Sequence, residues 1–362
     1  MDLTLTPADL DRLAALFRRF ADMECPEEPL YEALCRLVAD DLALLDLLAG
    51  ASPEQQRPNL WLAAVHDRLL AGVAHPLAAY YPSCGGHRAP DDALAGCLRD
   101  FVAQHAAELR DCMRTHTTQT NEIGRCAVLW PALHAVVVRS GTTRLALLDV
   151  GTSAGLNLGV DVYRYDAADT RRGVPLLPCT WHGPLRAPAA PTPQIVQRCG
   201  IDPAPVAVDD AVAVRWLRAC LWPSDAARAE RFEQAVQIAR DRRWPVREIA
   251  DCTAAIEPWL AALPAGVQPV IFNSWVLTYF ERPALQRHIE TVTDLVRRTG
   301  AMWLSAEAST LTIGPVELPA PRPELPKAQS VWTLCHRVDG EPRFEALARS
   351  HGHGRWAEWL AR

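Results

Sequence analysis

The feature that most constrains this chain is a change of pattern at residue 144. Arg144-Leu145-Ala146-Leu147-Leu148-Asp149-Val150 is a largely apolar run, and it opens directly into Gly151-Thr152-Ser153-Ala154-Gly155-Leu156-Asn157-Leu158. A short run of that kind suits a strand buried on both faces of a parallel sheet. Glycines four apart at its end allow a tight turn and close approach of backbone to a ligand.

Before residue 144 the chain reads as helices only. Thr6-Pro7 is an N-cap followed by proline at the first helical position, and Leu10, Leu13, Phe17 and Phe20 form one apolar stripe. Leu30, Leu34, Leu37, Val38, Leu42, Leu45 and Leu48 continue the pattern up to Gly50, and Ser52-Pro53-Glu54-Gln55 resembles a capping-box start. Further helices are expected from Pro90-Asp91 and from Thr120 to about Val138. After residue 144, apolar runs at 246–250, 270–273 and 301–306 alternate with helical stretches at 211–221, 225–240, 254–263 and 283–298. Strands alternating with helices predict a doubly wound, mostly parallel α/β sheet. Val331–Val338, Asp339-Gly340 and Pro342–Leu347 read as an antiparallel hairpin on an Asp-Gly turn. The expected organisation is an all-α region over 1–140, serving as substrate pocket or lid, and an α/β domain over 141–362. A weakly patterned, proline-rich insertion interrupts the latter near 166–193.

Composition excludes several classes. Lys and Arg total 37 against 43 Asp and Glu, so no basic excess is available to a nucleic-acid backbone. The longest uncharged run, 258–280, is broken by Pro264, Gly266, Pro269 and Asn273, and a membrane span needs roughly 20 continuous apolar residues. Eleven cysteines are scattered with no CxxC or CxC spacing, as expected of small buried hydrophobes in a reducing compartment. The first residues lack the basic and apolar stretches of a secretion signal, and a cytoplasmic location is expected.

The loop after residue 150 is placed where α/β sheets bind nucleotide-like ligands. An acid just before it, Asp149, would repel phosphate but suits a ligand carrying an ammonium and a sulfonium group. That favours S-adenosylmethionine over NAD or ATP, with Gly151, Ser153, Gly155 and Asn157 forming the cradle; Ser153 stands where a fuller pattern has glycine. Asp202, closing the next strand, is placed to hold a ribose diol. Asp251 is placed to meet an adenine amino group, and Asn273 and Ser274 lie beside the transferring centre. For each of these a helix cap is the alternative.

Other candidates cluster elsewhere. In Gln119-Thr120-Asn121-Glu122-Ile123-Gly124-Arg125, Thr120 or Asn121 suits a helix cap and Glu122 its first turn. Gln119 and Arg125 are left over. Arg125 offers two parallel donors to a cofactor carboxylate, Gln119 and Asn121 would orient an acceptor, and Asn121 and Glu122 are catalytic candidates. His351 and His353 point the same way if on a strand. No Cys, Asp or Glu joins them at ligand spacing, so no metal is expected, and a base or substrate role stands beside a structural turn. Tyr163, Tyr165, Trp275 and Tyr279 could offer aromatic faces to a cationic ligand, with core packing as the alternative. Glu307 reads equally as a helix-start acid or a substrate contact.

The Asp149–Leu158 segment resembles motif I of class I S-adenosylmethionine-dependent methyltransferases. The whole chain resembles an uncharacterised bacterial family through further blocks at 73–81, 118–125, 222–223 and 351–356. The resemblance implies a methyltransferase-like fold, S-adenosylmethionine as cofactor and methyl transfer to an unknown small-molecule acceptor. Two alternatives remain: a catalytically silent cofactor-binding or interaction protein on the same fold, and an NAD-dependent oxidoreductase, which the acid before the loop and the closing hairpin disfavour.

Overall fold

In the computed structural model, which describes residues 5–119, 121–311, 313–318 and 329–361, local capping chemistry starts the first helix as expected. Thr6 and Asp9 exchange side-chain to backbone bonds in a capping box ahead of α1 (Pro7–Glu24). The long leucine stripe then divides into α2 (Pro29–Ala39), α3 (Leu42–Leu45) and a 3₁₀ turn. It breaks because the Asp41 side chain accepts from the Ala43 amide and starts a new helix. The capping box expected at Ser52 does not form. Pro53–Gln55 is a single 3₁₀ turn, and the Gln55 side-chain Oε1 instead accepts from the Thr118 amide at 3.1 Å. Then come α4 (Pro58–Leu70), α5 (Leu94–Thr115) and α6 (Cys126–Ser140). The short turn Ile123–Arg125 leads into α6, and it is capped by Glu122; Asn121 is used elsewhere, and Thr120 lies outside the described residues.

The rest of the chain alternates: β1 (Arg144–Val150), β2 (Thr180–His182), β3 (Gln194–Asp202), α7 (Ala211–Ala219), α8 (Ala226–Arg242), β4 (Val246–Glu248), α9 (Cys252–Ala261), β5 (Gln268–Ser274), α10 (Arg282–Thr299), β6 (Met302–Ala308), β7 (Ser330–Val338), β8 (Glu341–Ser350) and β9 (Trp356–Trp359). Nine strands make one mixed, mostly parallel sheet in the order β2-β9-β8-β7-β6-β5-β1-β3-β4. Strands β4, β3, β1, β5 and β6 are mutually parallel neighbours, while β7, β8 and β9 continue antiparallel. The chain steps outward from β1 to β3 and β4, then returns to β1's other side with β5. β1 and β5 therefore flank a topological switch point, where open α/β sheets bind ligands. The Asp339-Gly340 turn of the β7–β8 hairpin has positive φ at both residues, as a type I′ turn requires. The insertion contributes β2, which pairs in parallel with β9 at the far edge.

The chain forms two compact units, Met1–Thr120 with Asp209–Glu230, and Asn121–Val208 with Arg231–Arg362. A division at residue 140 separates helical from strand-patterned sequence, whereas packing sorts two helices differently. α6 belongs with the sheet, where Arg139 forks onto Glu345 of β8 at 2.8 and 2.5 Å. α7 belongs with the helices, through Arg215 on Asp67 at 2.8 Å and the Trp216 indole on the Thr117 carbonyl at 2.9 Å. Leu13, Phe17, Leu34, Leu60, Trp61, Leu98, Phe101 and Trp216 share the helical core. Leu148, Val150, Ile201, Ile271 and Trp303 of the sheet share a second core with Ile256 of α9 and Val296 of α10. Among the described residues no helix is long and apolar enough to cross a membrane.

Trp61 tests the helical core. It is fully buried, edge-on to Phe17, with its indole N–H on the Leu44 carbonyl at 2.9 Å. Trp61→Ala is expected to destabilise by about 3–5 kcal/mol. Trp61→Phe, which mainly strands the carbonyl, should lose about 1–3 kcal/mol. Urea unfolding followed by circular dichroism measures both, and a phenylalanine variant as stable as the parent would mean the hydrogen bond contributes nothing.

Candidate functional site

The loop after β1 is held in an unusual backbone shape by side chains from three directions. Gly151, Ser153 and Gly155 all have positive φ (71°, 53° and 71°). At Ser153 this costs about 1–2 kcal/mol, because a side chain crowds its own carbonyl there. Its amide donates to Asp202 Oδ2 at 2.8 Å and its carbonyl accepts from the Val206 amide at 3.2 Å. Asn121 spans the loop, Nδ2 donating to the Thr152 carbonyl at 2.8 Å and Oδ1 accepting from the Leu156 amide at 3.2 Å. A Cβ at Gly151 would lie 2.4 Å from the Val276 side chain, and one at Gly155 2.6 Å from that of Val246. These glycines are thus required by packing as well as by φ.

Asp149 is buried beneath the loop, where the Thr152 hydroxyl donates to it at 2.6 Å. Burial pushes its carboxyl up to about 7, and the Asp202 charge adds to that; the Thr152 bond and the Arg125 charge oppose it. Asp202 receives a second amide, that of Ala204, at 2.8 Å. Asn157 accepts from the Cys126 thiol at 3.4 Å. The hydroxyls of Tyr163 and Tyr165 donate to the Leu156 and Val160 carbonyls, and the Tyr165 ring stacks on Trp130 at 6.1 Å. Both tyrosines therefore brace the chain that follows the loop.

A second group gathers at the carboxyl ends of β5 and β6. Asn273 donates to Ser305 Oγ at 2.8 Å and Glu307 Oε1 at 2.7 Å, and accepts from the Trp303 indole at 2.7 Å. Trp275 has φ 56° and donates its indole N–H to Ser330 Oγ at 2.7 Å. Buried Arg125 donates through Nε to the Gly352 carbonyl at 2.9 Å and through Nη1 to the Ser274 carbonyl at 3.2 Å, its guanidinium 5.9 Å from the Trp275 ring centre. Glu122 accepts from the Gly124 amide at 2.7 Å. Gly124 and Gly354 touch so closely that a Cβ on Gly354 would sit 2.0 Å from the Gly124 carbonyl oxygen, and one on Gly124 2.3 Å from that of His353. In that turn the His353 amide donates to His351 Nδ1 at 3.0 Å, and the two rings meet edge-on at 5.3 Å.

The structure thus brings Asn121, Asp149, Gly151, Ser153, Gly155, Asn157, Asp202, Tyr163 and Tyr165 around one loop. It brings Glu122, Arg125, Asn273, Ser274, Trp275, His351 and His353 around the neighbouring strand ends. Three candidates remain. Asp251 is exposed and caps α9 on the Ala254 amide, Tyr279 is 62% exposed, and Gln119 belongs to the helical unit. Thr152, Gly124, Gly354 and Val206 were not singled out from sequence. A hydroxyl three residues after Asp149 was a usable signal for Thr152; the other three act through backbone atoms and left none. Glu307 is no helix-start acid: it caps the Val276 and Leu277 amides at 3.0 and 3.2 Å from across the sheet end.

Two outcomes follow. Asp149 ionises near 3.8 when unfolded and near 7 when folded, so stability is greatest below the lower value and falls as pH rises through the higher one. Asp149→Asn should therefore match the parent near pH 4 and exceed it by roughly 2–4 kcal/mol near pH 8. Urea unfolding at both pH values checks this, and a constant difference would contradict it. Gly354→Ala should lose about 3 kcal/mol or more through positive φ and the backbone clash. Gly352→Ala, whose Cβ would lie 3.4 Å from the Trp275 ring, should stay within about 1 kcal/mol. Thermal unfolding of the pair gives the contrast.

No curated protein matches this sequence. Residues 14–359 match the family described as uncharacterized protein conserved in bacteria (DUF2332), and the chain belongs to that family.

Proposed function

We propose that this protein binds S-adenosylmethionine over the carboxyl ends of β1 and β5 and transfers its methyl group to a small-molecule acceptor. The observation that carries the reading is the Gly151–Gly155 loop, which sits beside the β1–β5 switch point and follows an acid, Asp149. A loop preceded by a carboxyl disfavours phosphate and suits a cationic ligand.

The residues present fit such a ligand in part. The Ser274 hydroxyl is buried with no hydrogen-bond partner among the described residues, a group awaiting one at the end of β5. The backbone of 151–155 is preformed, so little ordering remains to be done when a ligand arrives. The residues that would hold the cofactor are this loop, Ser274 and Arg125, whose guanidinium is already fixed by two carbonyls. When bound, the cofactor supplies an electrophilic methyl group. The protein's share is to align an acceptor and exclude water, which can account for most of the rate of such a reaction.

One observation favours a second reading, a silent binder on the same fold. Asp202, Asn157 and Asn273 are each engaged by the protein's own donors. Fold alone does not imply activity.

Calorimetric titration with S-adenosylmethionine, S-adenosylhomocysteine, NAD and NADP tests the binding reading. The first two are expected to bind and the last two not; NAD binding, or none at all, would overturn it. Asp202→Ala, which frees the Ser153 and Ala204 amides, should weaken binding by about 1–3 kcal/mol. Transfer of labelled methyl into the small-molecule fraction of a bacterial extract separates the enzyme from the silent binder.

A further inference from the structure

The two carboxyl oxygens of Glu307 are used unequally. Oε1 accepts three donors, from Asn273 Nδ2 at 2.7 Å and the Val276 and Leu277 amides at 3.0 and 3.2 Å. Among the described residues Oε2 accepts none, although Glu307 is only 1% exposed. Holding those three donors is a task for a single oxygen, and a glutamine carbonyl would do it without bringing a charge into the sheet. The second oxygen therefore accepts no hydrogen bond among the described residues, and the charge is met only through the field of Arg125. Burying an unmet acceptor is unfavourable, more so when it is ionised, and such groups concentrate where ligands bind. Burial raises the carboxyl, while the three donors and the Arg125 charge pull it back.

Position supplies the rest. β6 runs parallel to β5, and β5 to β1, so Glu307 stands at the same end of the sheet as the Gly151–Gly155 loop. A carboxylate with a free lone-pair edge in a buried setting binds a cationic N–H group best, since the bond is charge-assisted and anionic groups are repelled. We propose that Glu307 is a specificity-determining residue whose Oε2 accepts from the ammonium group of a ligand lying over the strand ends. The inference rests on the binding reading above only for where the ligand lies. The ammonium can come from the amino-acid portion of the cofactor or from an amine acceptor.

The test compares the parent with Glu307→Gln using two matched pairs of probes. One pair is S-adenosylhomocysteine and its analogue lacking the amino group, by calorimetry; the other is n-butylammonium and n-butanol, by ligand-observed NMR. In at least one pair the charged member is expected to bind the parent at least about tenfold more tightly than its uncharged partner. Glu307→Gln should erase that preference, leave binding of the uncharged member unchanged and keep or raise the melting temperature. Preference in the first pair places the ammonium on the cofactor, and in the second on the acceptor. No preference in either pair, or a preference that survives in the glutamine variant, overturns the inference. Butylammonium binding that depends on Glu307, without any S-adenosylhomocysteine binding, keeps the inference and sinks the methyl-transfer reading. S-adenosylhomocysteine binding indifferent to Glu307, with no Glu307-dependent preference for butylammonium, does the reverse. Should the variant fail to fold, the carboxyl carbon signal of Glu307 in labelled parent protein must shift with the charged probe and not with the uncharged one. Anything else overturns the inference.

Discussion

The hydrogen bond from the Ser153 amide to Asp202 is the contact on which the candidate site depends. It holds a non-glycine residue in left-handed backbone, and it does so across the joint between two parallel strands. That acceptor meets a buried amide and, together with the Val206 amide on the Ser153 carbonyl, helps to offset the steric cost of its φ. The loop's other contacts follow from that shape. Thr152 turns its hydroxyl down onto Asp149, and the Thr152 carbonyl and Leu156 amide come within reach of one side chain, Asn121. Gly200 lies under this arrangement, for a Cβ there would sit 2.6 Å from Thr152 Cγ2. The loop's shape is held by bonds from its own backbone and from the Asn121, Thr152 and Asp202 side chains, a condition for a preorganised binding surface.

A second constraint joins segments far apart in the chain. Arg125 precedes α6 and Gly352 follows β8, yet the guanidinium of one donates to the carbonyl of the other. Their turns meet through Gly124 and Gly354, where no side chain fits. The buried guanidinium also takes the Ser274 carbonyl, tying the end of β5 to the same assembly. Arginine suits the position because its donors form a rigid planar fork; a lysine ammonium could not span both carbonyls in the same way. Here Arg125 acts first as an organiser of backbone. Its charge then bears on both neighbouring acids, Asp149 and Glu307.

These two constraints place three carboxyl groups differently. Among the described residues, Asp202 has amides on both oxygens, Asp149 has a hydroxyl on one, and Glu307 has three donors on one oxygen and none on the other. Burial raises both Asp149 and Glu307, so the end of the sheet carries acids that are expensive to ionise. A structure selected for stability alone would replace them with amides. Their presence is the physical reason to look for a ligand here.

The sequence by itself determined what depends on local patterning. The Thr6 capping box, the buried run of β1, the glycine loop after it, the alternation of strands and helices and the Asp-Gly hairpin are all legible from neighbouring residues, because caps, turns and periodicity act within a few positions. Asp251 was legible as an acid at a strand end, but only the fold decided that it caps α9. The assignment of α6 to the sheet and α7 to the helices also came from packing, since both are amphipathic or apolar enough for either unit. Most of all, tertiary structure decided which polar atoms were already satisfied. Asp202 and Glu307 look alike as acids closing apolar strands, and what separates them is where distant donors fall: Ser153 reaches one Asp202 oxygen while the nearby Ala204 amide takes the other, whereas Asn273, Val276 and Leu277 all reach one oxygen of Glu307. That is set by strand register and turn geometry tens of residues away, which no local pattern encodes.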